Sequence, residues 1–390
     1  MDTVLLGGLN QGLLWGVMAI GVYITYRLLD FADLTCEGSF ALGGAVAASL
    51  IQNSGWHGLP VCFIALLAGA AAGLVTALLH TKLKIAPILS GIITLTALYS
   101  VTLITMDNKA SIGLINVPLF YSVFGGMMSR YSILIMALIC VAGVIAACYW
   151  FFGTEIGSAI RATGANEKMC RAQGINTDNT KIIGLMLSNA LIALSGALVA
   201  QEQGTASWTT GQGAIVAGLA SVIIGEVILP SNSNFAVTLG GVVVGSVIYR
   251  IIYALVYYIG LPTEYIKLST AVLVVIALCL PAIRTKGAAL VKKLDNYLRE
   301  KYPKYADYAR RRDEKKAAKK EAERLRLLGT ISSLTEQLGT CTDKNTVKKL
   351  SAKLVRTKEK YVEKYGSKAL DEANETQEAL SVAPTGGEDR

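Results

Sequence analysis

Apolar residues fall in long unbroken runs, not in the alternating or 3.6-spaced stripes of a water-soluble domain. A helix needs about 20 apolar residues to cross the hydrocarbon core of a bilayer, and residues 4–26 supply that with no charge inside. Residues 60–79, 85–105 and 132–152 are equally clear, and 182–200 follows a polar stretch. Residues 235–258 carry Arg250 within the run, and 261–283 form the last one. Two segments are shorter: 38–51 is rich in small residues, and 213–229 contains Glu226 and ends at Pro230. The pattern predicts an all-α polytopic membrane protein with about nine embedded helical segments, one or two of them short or re-entrant. Gly69 and Gly73, and again Gly241 and Gly245, have the four-residue spacing that lets helices approach closely in lipid.

The pattern changes near Arg284. Residues 1–284 hold 12 Lys or Arg and 11 Asp or Glu, which leaves 25 and 17 of the chain's 37 and 28 for residues 285–390. The sequence therefore divides into an apolar transmembrane part, 1–284, and a basic helical extension, 285–390. Overall composition agrees, since 53% of residues are apolar and the mean hydropathy is +0.47, above an ordinary soluble domain. The start, Met1-Asp2-Thr3, has no basic stretch, and the first apolar run is too long for a typical signal peptide, so it reads as retained. The seven cysteines, Cys36, Cys62, Cys140, Cys148, Cys170, Cys279 and Cys341, form no CxxC pair and no Cys/His cluster. They read as small buried apolar groups, with no metal site and no disulfide framework.

Orientation follows from Lys and Arg in the short loops. With a cytoplasmic tail, nine crossings leave the N-terminus outside. The inner loops then hold Arg27, Lys82, Lys84, Arg161, Lys168, Arg171, Lys181 and Arg284, against Lys109, Arg130 and Lys267 outside. That bias fits a cell-membrane protein. Trp56, Tyr121, Tyr131, Tyr257 and Tyr258 fall at the outer boundary and Trp150 at the inner one.

Charge near lipid is costly, so three interruptions stand out. Asp30, Asp33 and Glu37 lie in 28–44, LLDFADLTCEGSFALGG. This segment is either a broken helix lining a translocation path or an inner loop in which Glu37 and Ser39 cap the next helix. Glu226 and Arg250 come next. Glu226 lies near Pro230 and either snorkels or caps. Arg250, about 22 Å into its run, either snorkels to the outer interface or attracts an anionic substrate group. The third is the polar loop 153–181, GTEIGSAIRATGANEKMCRAQGINTDNTK. Residues 165–173 predict one short surface helix, preceded by Gly164 and closed by Gly174, with Met169 and Cys170 as its apolar contacts. The alternative is a solvated loop.

At this loop the sequence resembles the cytoplasmic coupling loop of the branched-chain amino acid permease family of ABC importers. The matching positions are Gly157, Ala159, Arg161, Ala162, Gly164, Asn166, Ala172, Gly174, Ile175 and Asn176. Residues 28–44, with their GSFALG run, are similar to the family's early segment, and the glycines of 218–249 to its late hairpin. The match is closest to a subgroup of permeases for aromatic amino acids or related solutes. Departures from the pattern are Glu226 where a second Gly is usual, the 33–37 DLTCE run, and the charged tail. The resemblance implies a permease pair, a homodimer or two paralogues, with ABC ATPase subunits inside and an extracytoplasmic solute-binding protein outside.

No GxxxxGK[ST] loop is present, so ATP belongs to a partner. The chain itself binds no cofactor and is not an enzyme. Glu155, Gly157, Arg161, Asn166, Glu167, Lys168, Arg171 and Gly174 are the expected coupling residues, and Asp33, Glu37 and Asn189, with Arg250, the candidates for the path.

In the tail, Leu290, Leu294 and Leu298 give an i, i+4, i+8 stripe. Residues 313–328 read as a charged helix stopped by Gly329. Val347, Leu350, Leu354, Tyr361 and Val362 form a loose heptad, with a turn at 342–345. The basic excess suits anionic membrane lipid. Interleaved acids and the lack of any nucleic-acid signature argue against nucleic acid. Two other classes remain open on sequence: a stand-alone ion-coupled transporter or channel, using Asp33, Glu37 and Glu226 as cation sites, and a membrane anchor whose tail recruits soluble proteins.

Overall fold

A computed structural model of the chain describes residues 2–114, 119–120, 131–229, 234–258 and 303–340, together with positions 268, 271, 272, 275, 279, 350, 351, 353, 354, 357 and 361. It divides into two compact units, Met1–Thr285 and Lys286–Arg390. The first is helical. Helix α1 (Asp2–Tyr23) widens into a π-turn (Ile24–Leu28), where Leu29 N donates to Ile24 O at 3.0 Å. Helices α2 (Thr35–Ser54), α3 (Gly58–Thr81) and α4 (Pro87–Thr105) follow, then strand β1 (Ser111–Gly113) and α5 (Ser132–Phe152). Next come α6 (Glu155–Ala165), α7 (Glu167–Ala172), α8 (Thr177–Gln203), strand β2 (Thr205–Ser207), α9 (Ala214–Ile228) and α10 (Phe235–Tyr258). The two short strands pair antiparallel, Ile112 opposite Ala206.

Among the described residues, six helical stretches are long and apolar enough to cross a membrane: Val4–Leu28, Gly58–Thr81, Pro87–Thr105, Ser132–Phe152, Thr177–Gln203 and Phe235–Val256. Of the nine segments expected, six are helices of that class among the described residues, and α2 and α9 are further helices packed in the same bundle. The last expected run, 261–283, lies mostly outside the described residues. Large apolar side chains on the outer faces of α3, α4 and α5 are exposed, among them Phe63, Leu67, Leu89, Ile92, Leu138 and Ile139. A face that apolar is stable in lipid or against another subunit, not in water.

Helix α8 is the axis of the bundle. It is the most buried of the apolar stretches, and α1, α2 and α3 pack around it. Gly69 and Gly73 of α3 lie so close to α8 that a Cβ on either would strike the carbonyls of Asn189 and Leu185. The small-residue spacing thus marks a real helix contact. Gly245 of α10 meets the Ser221 carbonyl of α9 in the same way, while Gly241 faces Leu229 more loosely. Four of the cysteines, Cys36, Cys62, Cys148 and Cys170, are buried and unbridged, as apolar filling requires.

The two short segments exchange roles. Helix α2, read as short and interrupted, is a continuous helix of 20 residues. Glu37 and Ser39 do not cap it, because their side chains reach other helices. Asp33 Oδ1 instead accepts from Thr35 N at 2.9 Å. Helix α9, of 15 residues, is the short element. Its start lies against the first turns of α2, where Gly211 packs on Glu37 and Ala41. The same turns of α2 bond to Asn189, near the middle of α8. So β2 and the turns after it carry the chain back into the bundle, and α9 begins there.

The second unit holds helix α11 (Pro303–Thr340). Gly329 does not stop it: the helix continues through Gly329 to Thr340, and a lone exposed Gly costs a helix only about 1 kcal/mol. Ile331, Leu334 and Tyr361 are buried there, and Arg324 Nε donates to the Tyr361 hydroxyl at 3.0 Å. The expected Leu290 stripe and the 342–345 turn lie outside the described residues.

Candidate functional site

Residues 153–181 were expected to hold one helix at 165–173, and they hold two. Thr154 caps α6, its Oγ1 accepting from Gly157 N at 3.3 Å. Asn166, with an extended backbone, ends α6 and starts α7, its Oδ1 accepting from Met169 N at 3.0 Å. Gly174 takes φ +83° after α7, a conformation that favours glycine. Asn176 then caps α8 by accepting from Asp178 N and Asn179 N, both at 3.2 Å.

This segment is fixed to the bundle along its length. Gly157 packs against the end of α5, and Gly164 against the Leu28 carbonyl of the π-turn. A Cβ at either position would collide, so both glycines serve close approach. Thr163 and Thr180 share a hydrogen bond of 2.9 Å between α6 and α8.

Helix α7 is held by charge. Glu167 Oε2 accepts from Lys181 Nζ at 2.9 Å, and its Oε1 from Arg171 Nη2 at 2.8 Å. Arg171 also donates to Thr177 Oγ1 at 2.8 Å and to Asp178 at 3.2 Å. Lys84, in the turn after α3, donates to Asp178 at 3.5 Å. The Lys181 hydrogen bond, then the Lys181 and Arg171 charges, hold the Glu167 carboxyl below its ordinary range. Glu167 and Arg171 are therefore turned largely into the protein's own network. Cys170 is buried as expected, but Met169 is exposed, because the ion pairs fix the rotation of α7 and turn that position outward. Lys168 and Met169 form its free face.

The path candidates separate into three places. Asp33 and Asn189 come together in the interior. Asn189 Nδ2 donates to Asp33 Oδ2 at 2.7 Å and to Leu185 O at 3.1 Å, while Ser39 Oγ donates to Asn189 Oδ1 at 2.7 Å. Thr35 Oγ1 and Thr76 Oγ1 lie 2.7 Å apart, extending the contacts to α3. Both Asp33 and Asn189 are almost fully buried and hydrogen-bonded, as buried polar groups must be. Sequence reasoning missed Thr35 and Thr76, since a hydroxyl in a run of small residues carries no pattern of its own.

Glu37 sits elsewhere, half-buried, its Oε1 accepting from Gly213 N at 3.0 Å at the start of α9. A carboxylate there complements the positive end of that helix. The ring of Trp208 meets Tyr99 edge-on at 5.6 Å, on the turns that lead into Gly213.

Arg250 occupies a third place and does not snorkel. It is 8% exposed, with its guanidinium carbon 3.5 Å from the Trp15 ring centroid and 5.3 Å from that of Tyr253. The aromatic faces offset the charge inside the bundle, so the side chain need not reach the interface. Glu226 forms an ion pair of 2.8 Å with Arg27. This joins the end of α9 to the π-turn. The positions expected on the inner side, Arg27, Lys84, Arg161, Arg171 and Lys181, thus gather at one end of the bundle.

Comparisons with known proteins bear on what this end does. A family model described as branched-chain amino acid transport system / permease component matches residues 4–278. A tyrosine transport system permease protein of Clostridioides difficile is 35% identical over 293 residues, 74% of this chain and 96% of that one. A ribose import permease protein of Haemophilus influenzae is 25% identical over 276 residues, 69% and 82% of the two chains. An autoinducer 2 import system permease protein of Yersinia pseudotuberculosis is 26% identical over 226 residues, 56% and 60%. No solved structure matches. These relatives are transport permeases, not enzymes, and residues 285–390 lie outside the family match. This chain belongs to the branched-chain amino acid transport system permease family, whose members are permease components of ABC-type transport systems.

Proposed function

We propose that this chain is the permease subunit of an ATP-driven importer of an amino acid or related small solute, driven by a separate ATPase that seats on α6 and α7 at the cytoplasmic face. The observation that carries the reading is the anchoring of α7. Its ion pairs clamp it to α8, and α6 is packed on both the π-turn and α8. A push on this pair therefore reaches α1 and α8, and transport would exchange one discrete packing of these helices for another. Lys168 and Met169 supply the contact surface for the ATPase, with Glu155 exposed on the first turn of α6. The 35% identity to a tyrosine permease favours an aromatic amino acid as the solute. Glu37, beside Gly213 and the Tyr99–Trp208 pair, is the candidate path group with the most open surroundings.

The family implies a solute-binding protein outside; a second permease copy and membrane lipid would cover the exposed apolar faces of α3–α5, and the positive-inside bias puts the tail in the cytoplasm. The ion-coupled alternative draws no support from the acids. Asp33 and Glu37 are met by protein donors, and Glu226 by Arg27.

The test uses Lys168→Glu and Met169→Asp in the purified assembly. Both variants should fold normally yet lose ATPase co-purification and substrate-dependent ATP hydrolysis. Full retention of both would remove α7 from the interface. Uptake that survives ATP depletion but stops when the ion gradient is dissipated would overturn the importer reading as a whole.

A further inference from the structure

A pocket of about 490 Å³ opens where α5, α6 and α10 meet. Its walls include Tyr149, Trp150, Thr154, Arg161, Asn234 and Phe235, of which only Arg161 was expected among the coupling residues. Its depth is set by α5, whose apolar run ends at Phe152. Tyr149 and Trp150, on the last turn of that run, are strongly exposed, as aromatic residues are at the membrane–water boundary. The pocket therefore lies at headgroup level.

The chemistry inside is cationic. The guanidinium carbon of Arg161 lies 5.7 Å from the Phe235 ring centroid. That stacking orients the group without neutralising it. Among the described residues no carboxylate pairs with Arg161; of the acids at this end of the bundle, Glu226 is engaged by Arg27, and Glu167 and Asp178 by Arg171. Asn234 is exposed at the start of α10 and offers an amide donor. The Thr154 hydroxyl is already committed, donating to Phe151 O and accepting from Gly157 N, so it shapes the wall and does not bind.

We propose that this pocket binds the headgroup phosphate of an anionic phospholipid, with Arg161 and Asn234 as the donors and Tyr149 and Trp150 against the glycerol and upper acyl chains. A guanidinium is well matched to phosphate oxygens. A free phosphate ion would satisfy Arg161 equally, but it gains nothing from an aromatic wall continuous with the lipid-facing side of α5. The site needs only that α5 be in the membrane. It does not depend on coupling to an ATPase, so the two proposals fail separately.

The test measures lipid retained by the full-length protein in nanodiscs, by native mass spectrometry, with phosphatidylglycerol against phosphatidylcholine. Phosphatidylglycerol should be retained preferentially. Arg161→Gln should lower its retention about tenfold, the loss expected for one charge-assisted contact, and Arg161→Lys should restore part of it. Lys82→Gln, which removes an exposed charge at the same end but outside the pocket, should change nothing. Equal loss with Lys82→Gln, or no loss with Arg161→Gln, overturns the site. Displacement of the lipid by millimolar inorganic phosphate overturns the lipid assignment in favour of a soluble anion. Should Arg161→Gln fail to give a monodisperse protein, Asn234→Ala carries the same expectation at a smaller, about threefold, loss.

Discussion

Asp33, just before α2, and Glu167, at the first position of α7, are both carboxylates at helix starts, and the protein meets them in different ways. Asp33, deep in the bundle, takes only neutral donors: the Asn189 amide and the Thr35 backbone. Glu167, at the end of the bundle, takes a lysine and an arginine, and its side chain remains 37% exposed. The contrast follows from dielectric. In the interior a hydrogen bond is strong and an unpaired polar group is costly, so a closed set of short bonds fixes geometry. At the aqueous end, charge pairs are screened and individually weak, so several are used together. The first arrangement suits a fixed joint between α2, α3 and α8. The second suits a lever that must hold its angle yet remain reachable by a partner.

Substitutions sharpen that comparison. The largest effect should come from Asn189→Leu, which removes the donor to Asp33 Oδ2 and leaves Ser39 without its acceptor. One interhelical bond in a membrane averages only ~0.6 kcal/mol, but a stranded carboxylate raises the loss to about 3 kcal/mol. Thermal unfolding of the purified protein would measure it, and an unchanged midpoint would show that the joint is dispensable. Gly73→Val should cost about 2 kcal/mol, because the new side chain meets the Leu185 backbone and no rotamer relieves it. Retained stability together with retained α3–α8 cross-linking would contradict that.

Effects at the other region should be smaller in stability and larger in coupling. Glu167→Gln should lower stability by no more than about 0.5–1 kcal/mol, since the group is over a third exposed, while raising amide exchange in α7. The sign of the pH effect is fixed. The folded state holds the Glu167 carboxyl lower than the unfolded chain does. Its contribution is therefore complete above the ordinary carboxylate range and is lost as pH falls through the depressed value. Exchange in α7 should be flat near neutral pH and rise only in acid, and should lose that acid step in Glu167→Gln. Smallest of all, raising salt from 0.1 to 1 M should loosen α7 by a few tenths of a kcal/mol and leave the Asp33 joint untouched. Equal salt sensitivity at both would erase the distinction between the two regions.

Much of the bundle was legible because lipid imposes a simple demand: about 20 apolar residues for each crossing. Residues 132–152 and 235–258 were placed to the residue on that ground. Helix α2 was misread because Asp33 and Glu37 look like interruptions when their partners are unknown. Those partners, Asn189 and Gly213, lie about 150 or more residues away in sequence. Met169 was expected to face inward because it is apolar, but the ion pairs beside it set the rotation of α7. Snorkelling was one of the two readings open for Arg250, since nothing local shows that Trp15 supplies an aromatic face.

The order of apolar runs, the division near Arg284 and the polar segment with its capping residues are properties of the chain itself. Each rests on local composition or on spacing of a few residues, which needs no folded partner to be expressed. Which acid is enclosed, which cation is paired, and which segment begins within the bundle were decided only by tertiary packing. Those outcomes depend on groups remote in sequence being brought within about 3 Å, where hydrogen bonds and ion pairs act.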